Sequence, residues 1–489
     1  MGEHIPDFIP NLIGGQDVPA ADGATYAKLS PVTGAQLALL ARSGKTDVAK
    51  AVDAARQAAP AWSAMPAVAR GLQLHAVVRK LQDSTEALAQ VVALETGKSV
   101  KDARGEVGAV VQIGLFYASE GQRLYGRTTT SGVPGRQVMH VRQPIGVAGL
   151  IVAANTPLAN VAWKVFPALV CGNTAVLKAP EDTPATAWLF GRLAREAGLP
   201  PGVLNIVHGL GAEAGQPLAE HADVGVLSFT GSTRVGRVLQ EIAGRRLARV
   251  SLELGGKNPF VVCDDADLDK AVHWAVLSAF SNAGQRCAAA SRIIVMRGVL
   301  AEFKSRLLAK TKTLRVGPGD GDDFGPVINS RQMNRILEAI AAAQAKGATV
   351  LVGGHRLTTP ELAPGCFIAP TLLENVPANA TAACEELFGP VATLQSADSF
   401  EQAVQLANDT PYGLTASIHT RDFNRAMAFC NRVQSGVVTV NAGTYGSEPH
   451  LPFGGRGESG NGTREPGTEA LDIYTHLKNI YLNVDAAAT

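Results

Sequence analysis

The chain has 489 residues, 46% hydrophobic and only 5% aromatic, with a formal net charge of +1. That length accommodates about two to four domains of ~100–200 residues, and the balanced charge argues against nucleic acid or a polybasic membrane contact as partner. The six cysteines are scattered, with no Cys-x-x-Cys pair and no Cys/His cluster, so no metal site or disulfide framework is indicated and reduced thiols in a cytoplasmic protein are expected.

Residues 1–10 lack the basic and apolar regions of a signal peptide. No apolar run reaches the ~18 residues a membrane helix needs. Residues 1–43 read as edge strands around turns at Gly14-Gly15 and Pro31-Val32-Thr33-Gly34. Helices are expected over 46–62, 66–96 and 101–124, the second closed by Gly97. Residues 127–144, punctuated by Gly132 and Pro134-Gly135, read as a projecting hairpin. From Gly146 the rhythm is strand then helix: strands at 147–152, 174–177, 203–207 and 224–229, and helices at 158–169, 184–197, up to Glu220, and 232–242. This alternation predicts a parallel, doubly wound sheet. A second α/β run follows, with strands at 259–262, 292–295, 349–352, 391–394, 414–417 and 437–440. Its helices fit 268–282, 299–314, 331–345, 400–408 and 421–433, and a last strand fits 477–482.

Several residues bear chemistry at the ends of these elements. Glu253 opens Glu253-Leu254-Gly255-Gly256-Lys257, and Cys287 closes Gly284-Gln285-Arg286-Cys287. A carboxylate and a thiol brought together suggest a base and a nucleophile. Taken singly, each is more often a structural residue. Asn155 follows a strand and precedes a helix, which suits either an oxyanion donor or a helix cap. Phe229-Thr230-Gly231-Ser232 sits where a strand gives way to a helix, as a phosphate site or a cap would. Lys178 and Glu181 follow a neighbouring strand, where nucleotides bind in open α/β sheets; a surface ion pair is the alternative.

Together these stretches resemble the aldehyde dehydrogenase superfamily, along with Asn155-Thr156-Pro157-Leu158, Lys178-Ala179-Pro180-Glu181, Glu385-Glu386-Leu387-Phe388-Gly389-Pro390 and Pro452-Phe453-Gly454-Gly455. The motifs occur in the family's order over most of the chain. The resemblance implies an α/β fold of two doubly wound Rossmann-like domains plus a β-hairpin oligomerisation arm. Residues 1–124 and 145–252 would form the NAD-binding domain and 253–455 the catalytic domain. Residues 125–144 and 471–489 would form the arm and C-terminal strand, assembling a homodimer or homotetramer. Cys287 would be the nucleophile, Glu253 the base for the deacylating water, and Asn155 with the Cys287 backbone N–H the oxyanion hole. Lys178 and Glu181 would hold the adenosine ribose, Gly231 and Ser232 would face the pyrophosphate, Glu386 would hold the nicotinamide ribose with Phe388 packing by the cofactor, and Phe229 would also be cofactor-binding. Lys164 and Glu465 match a pair that relays protons from the base. NAD is the expected cofactor, with NADP an alternative, and no metal is expected. The sequence departs from the family's usual pattern at Ala153-Ala154, where Pro-Trp is common.

The chemistry is coherent by itself. An aldehyde does not readily lose hydride, whereas the alkoxide formed by thiolate addition does, leaving a thioester that water opens. A CoA-acylating enzyme of the same fold would not need Glu253, and a catalytically silent binding protein would not need Cys287, Glu253 and Asn155 together. By helical spacing and resemblance, the substrate tunnel is expected to hold Thr156, Asn160, Trp163, Ser281, Arg286, Tyr445 and Phe453, with His450 in the loop 444–451. Small and polar residues there, with Arg286 and His450, point to a polar aldehyde or semialdehyde. Trp163, Tyr445 and Phe453 would instead suit an aromatic aldehyde.

Overall fold

The structure is a computed structural model and describes residues 4–483; the tail beyond Asn483, assigned above to the arm, lies outside the described residues. Two seven-stranded sheets organise it. In the first, the strands run in the order Arg249–Glu253, Val224–Thr230, Val147–Ile151, Thr174–Lys178 and Leu204–Val207, all parallel. Asn11–Ile13 and Gln16–Val18 extend that sheet antiparallel. The central strands are buried along their whole length because helices cover both faces, which is why they read as continuous apolar runs. In the second sheet the order is Thr349–Val352, Thr371–Glu374, Val391–Ala397, Ala290–Met296, Asn258–Val262, Thr415–His419 and Val437–Val440. Only its first pair is antiparallel. The hairpin Arg127–Thr130 and Arg136–Pro144 pairs with the last strand, Thr475–Asn483, in a separate three-stranded sheet.

Several expectations shift. The helix expected over 66–96 is two helices, Ala67–Asp83 and Thr85–Thr96, broken at Ser84, where the backbone leaves the helical region (φ −100°, ψ 17°). The strands Arg249–Glu253 and Thr371–Glu374 were not anticipated. Each is short and ends in a glutamate, and their pairing rather than their composition makes them strands. The helix expected to reach Asn282 stops at Phe280. Beyond it, Asn282 and Ala283 take positive φ (54°) in a tight turn Ser281–Gly284 that carries the chain into the cysteine loop. Asparagine tolerates that conformation better than most residues.

Candidate active site

The first sheet presents its carboxyl edge to the site. Asn155 follows the strand Val147–Ile151, Lys178 ends its neighbour, Gly231 follows Val224–Thr230, and Glu253 ends the edge strand. The second body contributes the loop bearing Cys287, just before the strand Ala290–Met296. That loop is held by side-chain amides. Asn258 donates to the carbonyls of Cys287 (2.7 Å) and Ala289 (2.9 Å), and its own oxygen accepts the Thr415 N–H (3.0 Å). Gln285 donates to Pro326 O (3.1 Å) and accepts from the Ile328 N–H (2.8 Å). Gly284 has φ +67°, and a Cβ there would stand 2.1 Å from Gly389 O, so only glycine fits.

Cys287 lines a cavity of about 610 Å³ shared with Asn155, Thr156, Trp163, Arg286, Tyr445 and Phe453. Trp163 and Phe453 pack at 5.7 Å, and both belong with Cys287 and Tyr445 to one apolar cluster. The Cys287 thiol is pushed up to about 12, by burial first and then by the charges of Glu386 and Glu253. The Asn155 amide nitrogen donates to Gln285 O (3.0 Å), and its oxygen accepts from Asn160 (3.0 Å). One amide hydrogen of Asn155 is thereby committed, and the second is left to face the cavity.

Glu253 is 3% exposed, and neither of its carboxylate oxygens has a partner. Burial, followed by the like charge of Glu465, holds its carboxyl well above the usual range; Lys164 and Arg464 oppose this. Glu465 is fully satisfied by contrast. Its carboxylate accepts from Lys164 Nζ (2.6 Å), Ser228 Oγ (2.9 and 3.1 Å) and the Tyr474 hydroxyl (2.9 Å). Burial and the Glu465 charge keep the Tyr474 phenol protonated and therefore a donor. The two buried carboxylates thus differ in hydrogen bonding, one without a partner and one fully engaged.

The remaining motif residues lie at the end of the first sheet's strand Thr174–Lys178, after its strand Val224–Thr230, and in loops of the second body. Lys178 is buried, its ammonium 3.8 Å from Glu181, and desolvation lowers its pKa. Glu181 accepts the Gly211 N–H (2.7 Å). Glu386 accepts the Gly256 N–H (3.1 Å), and burial pushes its carboxyl up to about 7. It lies across Gly255, where a Cβ would come within 2.1 Å of its oxygen. Lys257 anchors that loop by donating to Ala382 O (2.8 Å) and Glu385 O (2.7 Å). Phe388 takes a positive φ (54°) there, and its carbonyl accepts from Gln332 (3.2 Å). Ser232 caps the helix Thr233–Arg245 and stays exposed.

An anionic dinucleotide needs a cation, free hydroxyls and carboxylates at such an edge. Lys178 has no ion-pair contact closer than Glu181, and the Thr230 hydroxyl is buried without a partner. With Glu181 and Glu386 flanking, the residues present fit that group.

Five expectations need correction. Asn160 is buried and bonds to Ala153 O, Asn155 and Thr156, so it supports Asn155 rather than lining the tunnel. Ser281 does not line the cavity; it accepts from Arg286 Nε (3.2 Å). His450 is exposed beside Glu448 (3.9 Å) and does not line the cavity. Phe229 is 5% exposed in the core beneath Gly231, so it supports the turn and does not face the crevice. The Gly231 N–H is already given to Glu253 O (3.1 Å), so it is not free for a phosphate. Sequence reasoning missed Asn258, Gln285, Asn282, Ser228 and Tyr474. Their signal was faint, since each acts through contacts distant in sequence.

Comparison with known proteins follows the same lines. The family model described as aldehyde dehydrogenase family matches residues 18–480. Alpha-ketoglutaric semialdehyde dehydrogenase of Bacillus subtilis is 38% identical over 89% of this chain and 90% of its own. Glutarate-semialdehyde dehydrogenase of Pseudomonas putida is 37% identical over 96% and 97%. Among solved structures, betaine aldehyde dehydrogenase from Staphylococcus aureus in complex with NAD+ superposes with a TM-score of 0.95 at 32% identity, covering 99% of this chain and 96% of that one.

Proposed function

The chain belongs to the aldehyde dehydrogenase family, and from that premise we propose that it oxidises a polar aldehyde, a semialdehyde by preference, to the free acid with NAD as acceptor. When bound, the dinucleotide supplies the hydride acceptor. Lys178 and Glu181 would hold its adenosine ribose, Glu386 the nicotinamide ribose, with Phe388 alongside and Ser232 at the pyrophosphate. Glu181 would also repel a 2′-phosphate, which favours NAD over NADP.

Once its proton has passed to solvent water, the Cys287 thiolate adds to the aldehyde carbon, and the alkoxide is met by the free Asn155 amide hydrogen and the Cys287 N–H. Loss of hydride leaves a thioester on Cys287. Glu253, once ionised, takes a proton from the water that opens it, and the acid leaves. Lys164 and Glu465 provide a route for that proton away from Glu253. Removing an oxyanion donor typically costs ~2.7–4 kcal/mol of transition-state stabilisation. A CoA-dependent acyl transfer would have no use for an unpartnered buried carboxylate whose charge acts on the thiol.

The observation that carries this reading is a thiol on the wall of a cavity of about 610 Å³ with an oriented amide beside it. Cys287→Ala should abolish NADH formation in the absence of CoA while retaining NAD binding; near-normal turnover would overturn the mechanism. For the substrate, Arg286 lines the cavity, stacks over Tyr445 (4.9 Å) and donates to Ser281 only through Nε. Its Nη groups therefore remain for a distal carboxylate. One such contact is worth ~1.5–3 kcal/mol, or about ten- to a hundredfold in kcat/KM over an uncharged aldehyde of equal length. Equal use of the uncharged aldehyde would favour the second reading, an aromatic substrate held by Trp163, Tyr445 and Phe453. The free cysteines support a reducing, cytoplasmic setting, and the arm supports a homodimer or a dimer of dimers.

A further inference from the structure

Two charged side chains on the cavity wall, Lys98 and Glu106, have no part in the chemistry above. Both are buried, and they pair at 2.7 Å between Nζ and Oε2. A buried ion pair is costly unless its remaining polar atoms are also engaged. Here they are engaged, along the short segment from Asn155 to Ala159. Lys98 Nζ donates to the backbone carbonyl of Asn155 (3.2 Å). Glu106 Oε1 accepts the N–H groups of Leu158 (2.9 Å) and Ala159 (3.2 Å). Those belong to the first turn of the helix Pro157–Val170, where N–H groups have no partner within the helix. Thr156 at its N-cap makes no side-chain capping bond, so Glu106 does the capping from another helix.

We propose that the Lys98–Glu106 pair is a positioning device for Asn155, fixing the oxyanion donor from both sides. Lys98 holds the peptide of Asn155, and Glu106 holds the helix start three residues later. The Asn155 side chain is then oriented by Asn160 and Gln285, as described above. A donor contributes fully only when aimed at the developing charge, so small displacements of its backbone weaken it. Because Lys98 also lines the cavity, direct contact with substrate is the competing explanation.

The inference rests on the reading of Asn155 as an oxyanion donor, and a double-mutant cycle in the full-length enzyme with saturating NAD separates the two. Asn155→Ala should lower kcat by about 10²–10³-fold. Lys98→Met should lower kcat by about ten- to a hundredfold, with the KM for NAD unchanged, and in the Asn155→Ala background it should cost less than about twofold more. Glu106→Gln keeps an acceptor for the helix N–H groups and removes the charge; it should show the same coupling, and it carries the cycle if Lys98→Met does not fold. Independent, multiplying losses would overturn the inference while leaving Asn155 in its role. So would full kcat in Lys98→Met or Glu106→Gln, or a loss confined to the KM of the aldehyde. If Asn155→Ala itself keeps full kcat, the oxyanion reading fails and the inference fails with it.

Discussion

Cys287 rests as a thiol. Its pKa of about 12 has burial as first cause, followed by Glu386 and then Glu253. Removing a neighbouring negative charge favours the thiolate, and each unit of lowering gives about tenfold more thiolate near neutral pH. Glu386→Gln should therefore speed alkylation of Cys287 by iodoacetamide at pH 7.5, measured by loss of activity with time; an unchanged rate would show that Glu386 does not act on the thiol. Glu253 is held protonated in the same way. Its carboxyl is raised in the folded protein, so native chains hold a proton that unfolded chains release above about pH 4.3. Stability contributed by this group is therefore complete below that pH and is lost as pH rises through the raised folded value. Glu253→Gln should be more heat-stable than the parent at pH 8–9, with the gain vanishing near pH 4. The same substitution should remove the rise of steady-state turnover with pH, while an initial burst of NADH remains. A thermal midpoint below the parent's at pH 9 would refute the stability argument.

At the scale of elements, the cysteine loop is fastened to the strand Asn258–Val262 by one side chain. Asn258 satisfies the carbonyls of Cys287 and Ala289 and the N–H of Thr415 at once. Asn258→Ala leaves those groups without these partners, at a cost of about 1–3 kcal/mol for each one left unsatisfied. The variant should unfold at lower temperature by calorimetry and lose kcat more than NAD affinity, because the loop bears the proposed nucleophile and not the proposed adenosine contacts. Retention of both properties would show that the loop is held elsewhere. The sheets themselves were readable from alternating apolar runs and helices. The turn after Phe280 was not, because its course depends on Asn282 donating to Asn155 O (3.2 Å) across 127 residues.

At the scale of the molecule, the arm sheet leaves Leu477, Tyr481 and Leu482 exposed, and Val440 is exposed on the edge strand of the second sheet. Exposed apolar edges are normally covered. Light scattering at micromolar concentration should find two or four chains of 50.9 kDa; a monomer would refute the assembly. Among the described residues, no helix is long and apolar enough to cross a membrane. The sequence by itself determined the fold class and nominated Cys287, Glu253 and Asn155 as nucleophile, base and oxyanion donor. Residue types in ordered motifs at strand ends carry that information locally. Only the tertiary structure decided that Thr156 lines the cavity while Asn160 and Ser281 do not. It alone left Glu253 without a partner while Glu465 also received Ser228 and the Tyr474 hydroxyl. Burial, hydrogen-bond satisfaction and the resulting shifts in proton affinity are properties of contacts between distant segments, and no local pattern encodes them.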